Sequence, residues 1–385
     1  MAAAVAALCL AAPAMTQSAV PAQVNRVASP VPAEVPIALV VDTSTGQTLL
    51  SREADRRFVP ASVTKVMTAY TAFRLIDEGK LSADSEIEIT AELLEGWRRE
   101  GSTLFLEVGD RVSVEDLLLG ITTVSANDAS VVLGRHVAGS LDGWTALMNA
   151  NARKLGLADS HFGTPNGWMD DGNTFTSARD LARLGGALTQ QYPNLYGRFF
   201  GKTGMRFNGV AQDNHEMLTG QVEGGDGIKT GYTRQAGNTF LGSAKRGDRR
   251  IVIVLAGVDE GEVRDSAARA MVRWAYDAFT PTRLVKRDEE IGLAEVQGGS
   301  KAQVALVAPK DLVVAVPQGL AASQFLTITY NGPVRAPIAA GDTVATLRFA
   351  APGYPVFEMP LAARDDVPVA GPVRRIGLGL ASWFS

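Results

Sequence analysis

Histidine and cysteine are nearly missing from this chain of 385 residues, which has three histidines (His136, His161 and His215) and one cysteine, Cys9. They are scattered, so neither a zinc cluster nor a histidine-based catalytic triad has material to form. Nucleophilic chemistry here needs another base, and a lysine fits that need. Excess positive charge is also missing. The formal net charge is -4, and no basic patch interleaved with aromatics occurs, which argues against nucleic acid as the main partner. The apolar runs near the two ends, Ala2 to Ala12 and Val373 to Ser385, are each too short to span a bilayer as a helix. Nothing in the chain calls for a metal or a cofactor.

What is present is a hydrophobic content of 46% with 20% charged residues, enough for a large core and comfortable for two domains. The run Ala2 to Ala12 ends in Ala12-Pro13-Ala14, an A-x-A pattern, and residues 1–14 read as a secretory signal peptide. Cys9 lies inside it, so cleavage leaves a chain with no cysteine and no need of disulfides in an oxidising compartment. Residues 15–34, rich in Pro, Ala, Gln and Ser, read as a flexible tether.

From there the pattern is mixed. IALVV before Asp42 reads as a strand, Thr43 to Gly46 as a turn and Thr48 to Ser51 as its return. Helices follow at Val63 to Ile76, from Ser113 to Leu119, and at Ala129 to Val137, Gly143 to Leu155 and Ser177 to Gln190. The loop Phe162 to Thr176 carries glycines, prolines and Trp168. Three antiparallel strands are expected at Gly227 to Thr233, Asn238 to Ala244 and Arg249 to Gly257, then a long amphipathic helix, Glu262 to Phe279. The fold class is therefore α/β, an α+β sandwich with one antiparallel sheet flanked by helices, over residues 35–279. Thr280 to Leu284 reads as a linker, and residues 284–364, all strand and turn signals, as a small all-β domain. In the last segment, 371–385, Arg374 and Arg375 precede Ile376, Leu378, Leu380, Trp383 and Phe384. That order suits an amphipathic segment lying in a membrane interface.

The chemistry-bearing stretch is Pro60-Ala61-Ser62-Val63-Thr64-Lys65. A serine and a lysine three apart at a helix start share a face, so the Lys65 amine can reach the Ser62 hydroxyl as its base. With twenty serines and nine lysines in the chain, about half an S-x-x-K is expected by accident, so the pair needs partners. Two occur downstream in order. Ser125-Ala126-Asn127 sits at a polar corner before a helix. There Ser125 can pass a proton between Lys65 and a leaving amine, and Asn127 can hold a substrate amide and fix the Lys65 head group. Lys229-Thr230-Gly231 sits on a strand. Lys229 supplies positive charge that disfavours protonation of Lys65 and attracts a substrate carboxylate, and Thr230 adds a hydroxyl for that carboxylate. Gly231 lets a substrate backbone lie flat along the strand edge. The backbone N–H groups of Ser62 and Tyr232 would form an oxyanion hole. Alone, each motif reads as a helix cap or a strand end; together and in this order they read as one site.

These residues resemble the low-molecular-weight penicillin-binding proteins, the serine D-alanyl-D-alanine carboxypeptidases. S-x-x-K, S-D-N and K-T-G are a recognised signature of penicillin-binding proteins and class A β-lactamases. The likeness is dense from Ile37 to Ala278, through PASVTKVMTAY, SANDASVVL, LMNANARKLGL and DGIKTGYTRQAGN. It implies a β-lactamase/transpeptidase-like fold and removal of the terminal D-alanine from the peptidoglycan pentapeptide stem through an acyl-enzyme on Ser62. It also implies β-lactams as inhibitors that acylate the same serine. It further implies an exported protein in the periplasm, peripherally bound to the outer face of the cytoplasmic membrane through 371–385. Two departures stand out. Where the family often carries Asn-x-Asn-x-Leu-Leu, this chain has Asp213-Asn214-His215-Glu216-Met217-Leu218. A second K-T-G, Lys202-Thr203-Gly204, lies in a stretch that reads as a separate hairpin, a decoy.

Three competing functions remain open at the level of sequence. A class A-like β-lactamase needs a glutamate to activate water. No Glu-x-x-Leu-Asn occurs, although Glu92, Glu95, Glu100 and Glu107 lie between the first two motifs. A murein endopeptidase would share the fold and act on cross-linked muropeptides. A non-catalytic peptidoglycan-binding scaffold is disfavoured by the intact Ser62 and Lys65.

Overall fold

The computed structural model describes residues 27–318, 325–351 and 356–371. The expected signal peptide, and the C-terminal segment beyond Gly371, lie outside the described residues. The first domain is built on a five-stranded antiparallel sheet. Its strands run in the order Gln47–Arg52, Ile37–Asp42, Arg249–Val258, Gly237–Arg246, Gly225–Thr233. Segments far apart in the chain meet in the middle of this sheet, because Ile37–Asp42 pairs with Arg249–Val258. The strand that carries Lys229 is left at one edge.

Both faces of the sheet are covered, which explains why IVIVLAG is apolar at every position rather than alternating. Val252 and Val254 face a cluster with Val66, Met67, Phe73, Leu117, Val132 and Leu181 from the helical middle of the chain. Ile251, Ile253 and Leu255 face the opposite way, onto Ala268, Met271, Val272 and Ala275 of the helix Gly261–Asp277. The helices at Val114–Thr123, Asn127–Ala138, Leu141–Lys154 and Ala178–Gln191 fall where their patterns predict. Ser113, Ser140 and Ser177 each accept a backbone N–H of the first turn, as N-caps do.

Three expectations are corrected. Part of the tether is pinned. Val31 and Val35 are buried in the core, and the Arg52 guanidinium donates to the carbonyls of Val31, Pro32 and Val35 at 3.0, 2.6 and 2.7 Å. Thr280 to Leu284 is not a linker. It lies in the strand Phe279–Val285, paired antiparallel with Leu312–Pro317. Apolar residues at both ends of that strand, Phe279 and Val285, are buried, whereas the polar middle hid its period. Lastly, the α-helix does not begin at Val63. Residues Ala61–Thr64 form one turn of 3-10 helix, and the α-helix runs Lys65–Asp77.

The C-terminal part is all β, with a six-stranded sheet ordered Leu326–Thr329, Thr343–Phe349, Phe357–Ala363, Gln303–Val307, Glu290–Gln297, Val334–Arg335. It has its own core, including Leu306, Val314, Leu347, Phe349 and Leu361. The two-stranded ribbon ties it to the first domain: Ala315 is buried in the core cluster to which the helix Gly261–Asp277 contributes, and its N–H donates to the Gln47 side chain at 2.8 Å.

Candidate active site

The 3-10 turn decides the geometry of the serine and the lysine. At three residues per turn, side chains at i and i+3 stand one above the other, and Lys65 Nζ lies 2.9 Å from Ser62 Oγ. The turn is held in place from the sheet. Thr239 Oγ1 donates to the Pro60 carbonyl at 2.9 Å, and Ala61 takes a left-handed φ of 50° to make the bend. A Cβ on Gly231 would stand 2.4 Å from Thr239 Oγ1, 2.6 Å from the Pro60 carbonyl oxygen and 3.1 Å from Ser62 N. Gly231 is therefore required by the approach of the strand to the nucleophile's turn, a stronger demand than room for substrate backbone. It also brings Ser62 N beside Tyr232, the other expected oxyanion donor.

Lys65 is 1% exposed. Besides Ser62 it contacts Asn127 Oδ1 at 2.8 Å and the Asn166 carbonyl at 2.8 Å. Burial, and then the nearby Lys229 charge, hold its ammonium well below the usual lysine range, while Asp128 opposes them. A neutral amine touching a serine hydroxyl is what a lysine general base requires. Lys229 is itself buried. Burial and then the Arg264 guanidinium push it down to about 7, with Glu216 opposing, and its ammonium donates to the Thr230 carbonyl at 3.0 Å.

The corner Ser125–Asn127 is held from behind. Ser125 is buried at a φ of 63°, a conformation that costs energy for a non-glycine residue and is typical of functional sites. Its hydroxyl makes no hydrogen bond to another of the described residues. Asn127 Nδ2 donates to the Glu100 carbonyl at 2.9 Å, and Asn127 N to the Ser102 carbonyl at 2.8 Å. Asp128, fully buried, accepts from the backbone N–H groups of Leu104 and Leu106 and from Thr103 Oγ1. That carboxylate clamps the loop 103–106 against the corner.

All eight expected site residues thus come from three segments that meet at Ser62. Ser62, Lys65 and Asn127 are joined by hydrogen bonds, and Lys229 reaches Lys65 through its charge. Thr230 is buried on the sheet edge next to Gly231, and Tyr232 follows, largely exposed. Sequence reasoning missed Asn166, whose carbonyl is a third partner of Lys65. The turn signal Pro165-Asn166-Gly167 was there, and its reason is visible: a Cβ on Gly167 would fall 1.8 Å from the Ala61 carbonyl oxygen. It missed Asp128, Arg264 and Glu216 as well. Lys202-Thr203-Gly204 lies where expected, at the start of a separate two-stranded hairpin, Gly204–Phe207 with Val210–Asp213. A cavity of about 760 Å³ lies at the far end of the edge strand, by Gly225, Asp226 and Arg250, away from this chemistry. No group of three or more metal-binding side chains occurs among the described residues.

With the geometry established, comparison with known proteins is decisive. Residues 24–260 match the family profile described as D-alanyl-D-alanine carboxypeptidase. The chain belongs to the D-alanyl-D-alanine carboxypeptidase family. Residues 279–369 of this family member match the profile of the penicillin-binding protein 5 C-terminal domain, which begins where the strand Phe279–Val285 begins. The chain is 31% identical over 349 residues to the D-alanyl-D-alanine carboxypeptidase DacD of Escherichia coli, covering 88% of this chain and 89% of that one. Penicillin-binding protein 5 of Haemophilus influenzae superposes with a TM-score of 0.74 at 28% identity, over 87% of this chain and 98% of that one. Penicillin-binding protein D2 of Listeria monocytogenes, solved in an ampicillin-bound form, gives 0.57 at 27% identity, over 63% and 97%.

The relatives' names are those of D-alanyl-D-alanine carboxypeptidases, and the two departures can be placed. Asn214 and Glu216 are turned onto backbone: Asn214 Nδ2 donates to the Lys202 carbonyl at 2.7 Å, and the Glu216 carboxylate accepts from Leu218 N and Thr219 N. Of the four glutamates that could have activated water in a β-lactamase, Glu107 is taken by Arg98 and Arg99, whose ion pairs lower its pKa. Among the described residues, no glutamate hydrogen-bonds Ser62 or Lys65.

Proposed function

We propose that this member of the D-alanyl-D-alanine carboxypeptidase family removes the terminal D-alanine of the peptidoglycan pentapeptide stem, with Ser62 as nucleophile and Lys65 as base. The observation that carries the reading is the buried, charge-suppressed Lys65 amine 2.9 Å from Ser62 Oγ. Lys65 takes the hydroxyl proton as Ser62 attacks the carbonyl of the penultimate D-alanine. The backbone N–H groups of Ser62 and Tyr232 hold the oxyanion. Ser125, whose hydroxyl is uncommitted, passes the proton to the leaving amine. Asn127 holds the acyl-side amide, and Lys229 and Thr230 hold the terminal carboxylate. Water then attacks the acyl-enzyme; its proton goes to Lys65, which passes it on to Ser62 Oγ as the acyl bond breaks, and the shortened peptide leaves. Among the described residues, no further strand pairs with the outer side of the sheet edge at Gly225–Thr233, which suits an extended peptide added beside it. A β-lactam enters the same path and stops at the acyl-enzyme.

The same reading places the protein in the periplasm after cleavage within residues 1–14. The segment 371–385 would hold it to the outer face of the cytoplasmic membrane, Arg374 and Arg375 meeting headgroups and Trp383 and Phe384 inserting. What supports this is the order of residues in those two segments; no described helix is long and apolar enough to cross a membrane. Cell fractionation of the full chain and of a chain ending at Gly371 tests it: both in the soluble fraction would refute the anchor.

The catalytic test uses the purified full chain. Wild type should release D-alanine from a D-Ala-D-Ala peptide and take a covalent fluorescent penicillin label, and Ser62→Ala should do neither. Label on Ser62→Ala, or rapid repeated penicillin hydrolysis by wild type, would overturn the assignment.

A further inference from the structure

Several large apolar side chains left exposed on this molecule come from the segments that frame Ser62: Phe105, Trp168, Met169 and Tyr232. Trp168 is the best anchored of them. Its backbone N–H donates to Asn166 Oδ1 at 3.0 Å, and the carbonyl of that same Asn166 is a partner of Lys65. Its indole packs edge-to-face against Trp97, with centroids 5.7 Å apart and planes at 87°. Gly101, at a φ of +64°, lies between it and the catalytic corner: a Cβ there would stand 2.7 Å from Asn127 Nδ2 and 2.8 Å from Trp168 Cζ3. The indole is thus seated beside the amide of Asn127.

That position has a chemical meaning on the function proposed above, on which this inference rests. Lys229 and Thr230 take the carboxylate end of the substrate, and Asn127 takes the amide on the acyl side. What lies past Asn127 is the group attached to that amide. Arg98 and Arg99, the charged neighbours of Trp97, are both drawn to the one carboxylate of Glu107, which offsets one of their two charges, so the wall they border is aromatic with a residual positive charge. We infer that Trp168, steadied by Trp97, is a specificity-determining residue that binds the apolar part of the acyl donor. That part is the long side chain of the residue preceding the two D-alanines, or the aryl acyl group of a penicillin. An exposed indole offers a flat apolar face to either at little conformational cost.

The test compares donors with and without that group. In Trp168→Ala the second-order rate of acylation by benzylpenicillin should fall about tenfold, as expected for loss of one aromatic contact with its buried area. Acylation by the penicillin nucleus lacking the acyl side chain should be unchanged. Likewise D-alanine release from a lysine-type tripeptide should lose kcat/KM, whereas release from acetyl-D-Ala-D-Ala should not. Trp168→Phe, which keeps a ring, should restore most of the loss. Equal falls for donors with and without the side chain would overturn the inference and make Trp168 a prop for the Asn127 corner. No fall with either would overturn it also. Wild type that is acylated by neither compound would instead overturn the carboxypeptidase reading, and this inference with it.

Discussion

The chain spells Lys-Thr-Gly twice, twenty-seven residues apart in phase but in different surroundings. At Lys202-Thr203-Gly204 the lysine is half-exposed and donates to the Gly197 carbonyl at 3.0 Å, and the glycine opens a hairpin that, among the described residues, pairs only with its own return strand. At Lys229-Thr230-Gly231 the lysine is buried, Ile228 before it is locked into the core, and the glycine touches the turn that bears Ser62. The tripeptide itself carries no chemistry. What sets the second copy apart is a pair of long strands beside it, which remove water from the lysine and press the glycine onto the turn that bears Ser62.

Exchanging the lysines should break the pair apart most. Lys229→Ala removes a charge-assisted contact to the substrate carboxylate and should lower kcat/KM for D-alanine release by about a hundredfold. Lys202→Ala should leave it within about twofold, as surface changes do. Steady-state kinetics on the two purified variants decides the matter, and a large loss in Lys202→Ala would mean that the wrong strand has been assigned. The glycines come next. In Gly231→Ala the added methyl meets Thr239 and the Pro60 carbonyl, so about 1–3 kcal/mol of overpacking is expected together with a shifted Ser62. Both the melting temperature and penicillin acylation should fall. Gly204→Ala crowds the Gln212 carbonyl at 2.8 Å, inside the hairpin alone, and acylation should survive it.

That comparison also shows what was legible in the sequence. That Ser62, Lys65, Asn127 and Lys229 come together was legible because the proposed reaction calls for those residue types in that order, and the two strands after Lys229 could be found because their apolar runs are long. The decoy was separable for the same reason in reverse. Asn166 was not legible as a partner of Lys65, since it acts through a backbone carbonyl, which any residue possesses. The strand Phe279–Val285 was hidden because its buried positions are at its ends and its centre reads Thr-Pro-Thr-Arg. Val31 and Val35 were hidden in a Pro- and Ala-rich stretch whose order depends on one distant guanidinium, Arg52. Local pattern reports local structure; contacts made from far away in the chain leave no period to read.

The smallest effect expected is also the one that distinguishes the two active-site lysines from each other. Lys65 must be neutral to act as a base, so its protonation sets the acid limb of activity. Lys229 must be charged to hold a carboxylate, and in the free enzyme burial has brought it down to about 7. One pH unit above that point only about a tenth of the free enzyme retains the charge, so kcat/KM should drop about fivefold over that unit. A bound carboxylate restores the proton, so kcat should fall much less than kcat/KM. The sign for stability is opposite. The ordinary lysine value is 10.5 and the folded value about 7, so between them the unfolded chain holds a proton that the folded chain has released. Stability from this group therefore rises with pH across that interval. Activity should decline from about pH 7 upward without a matching loss in melting temperature. A decline in kcat equal to that in kcat/KM would place the titration in the chemical step and take the carboxylate role away from Lys229.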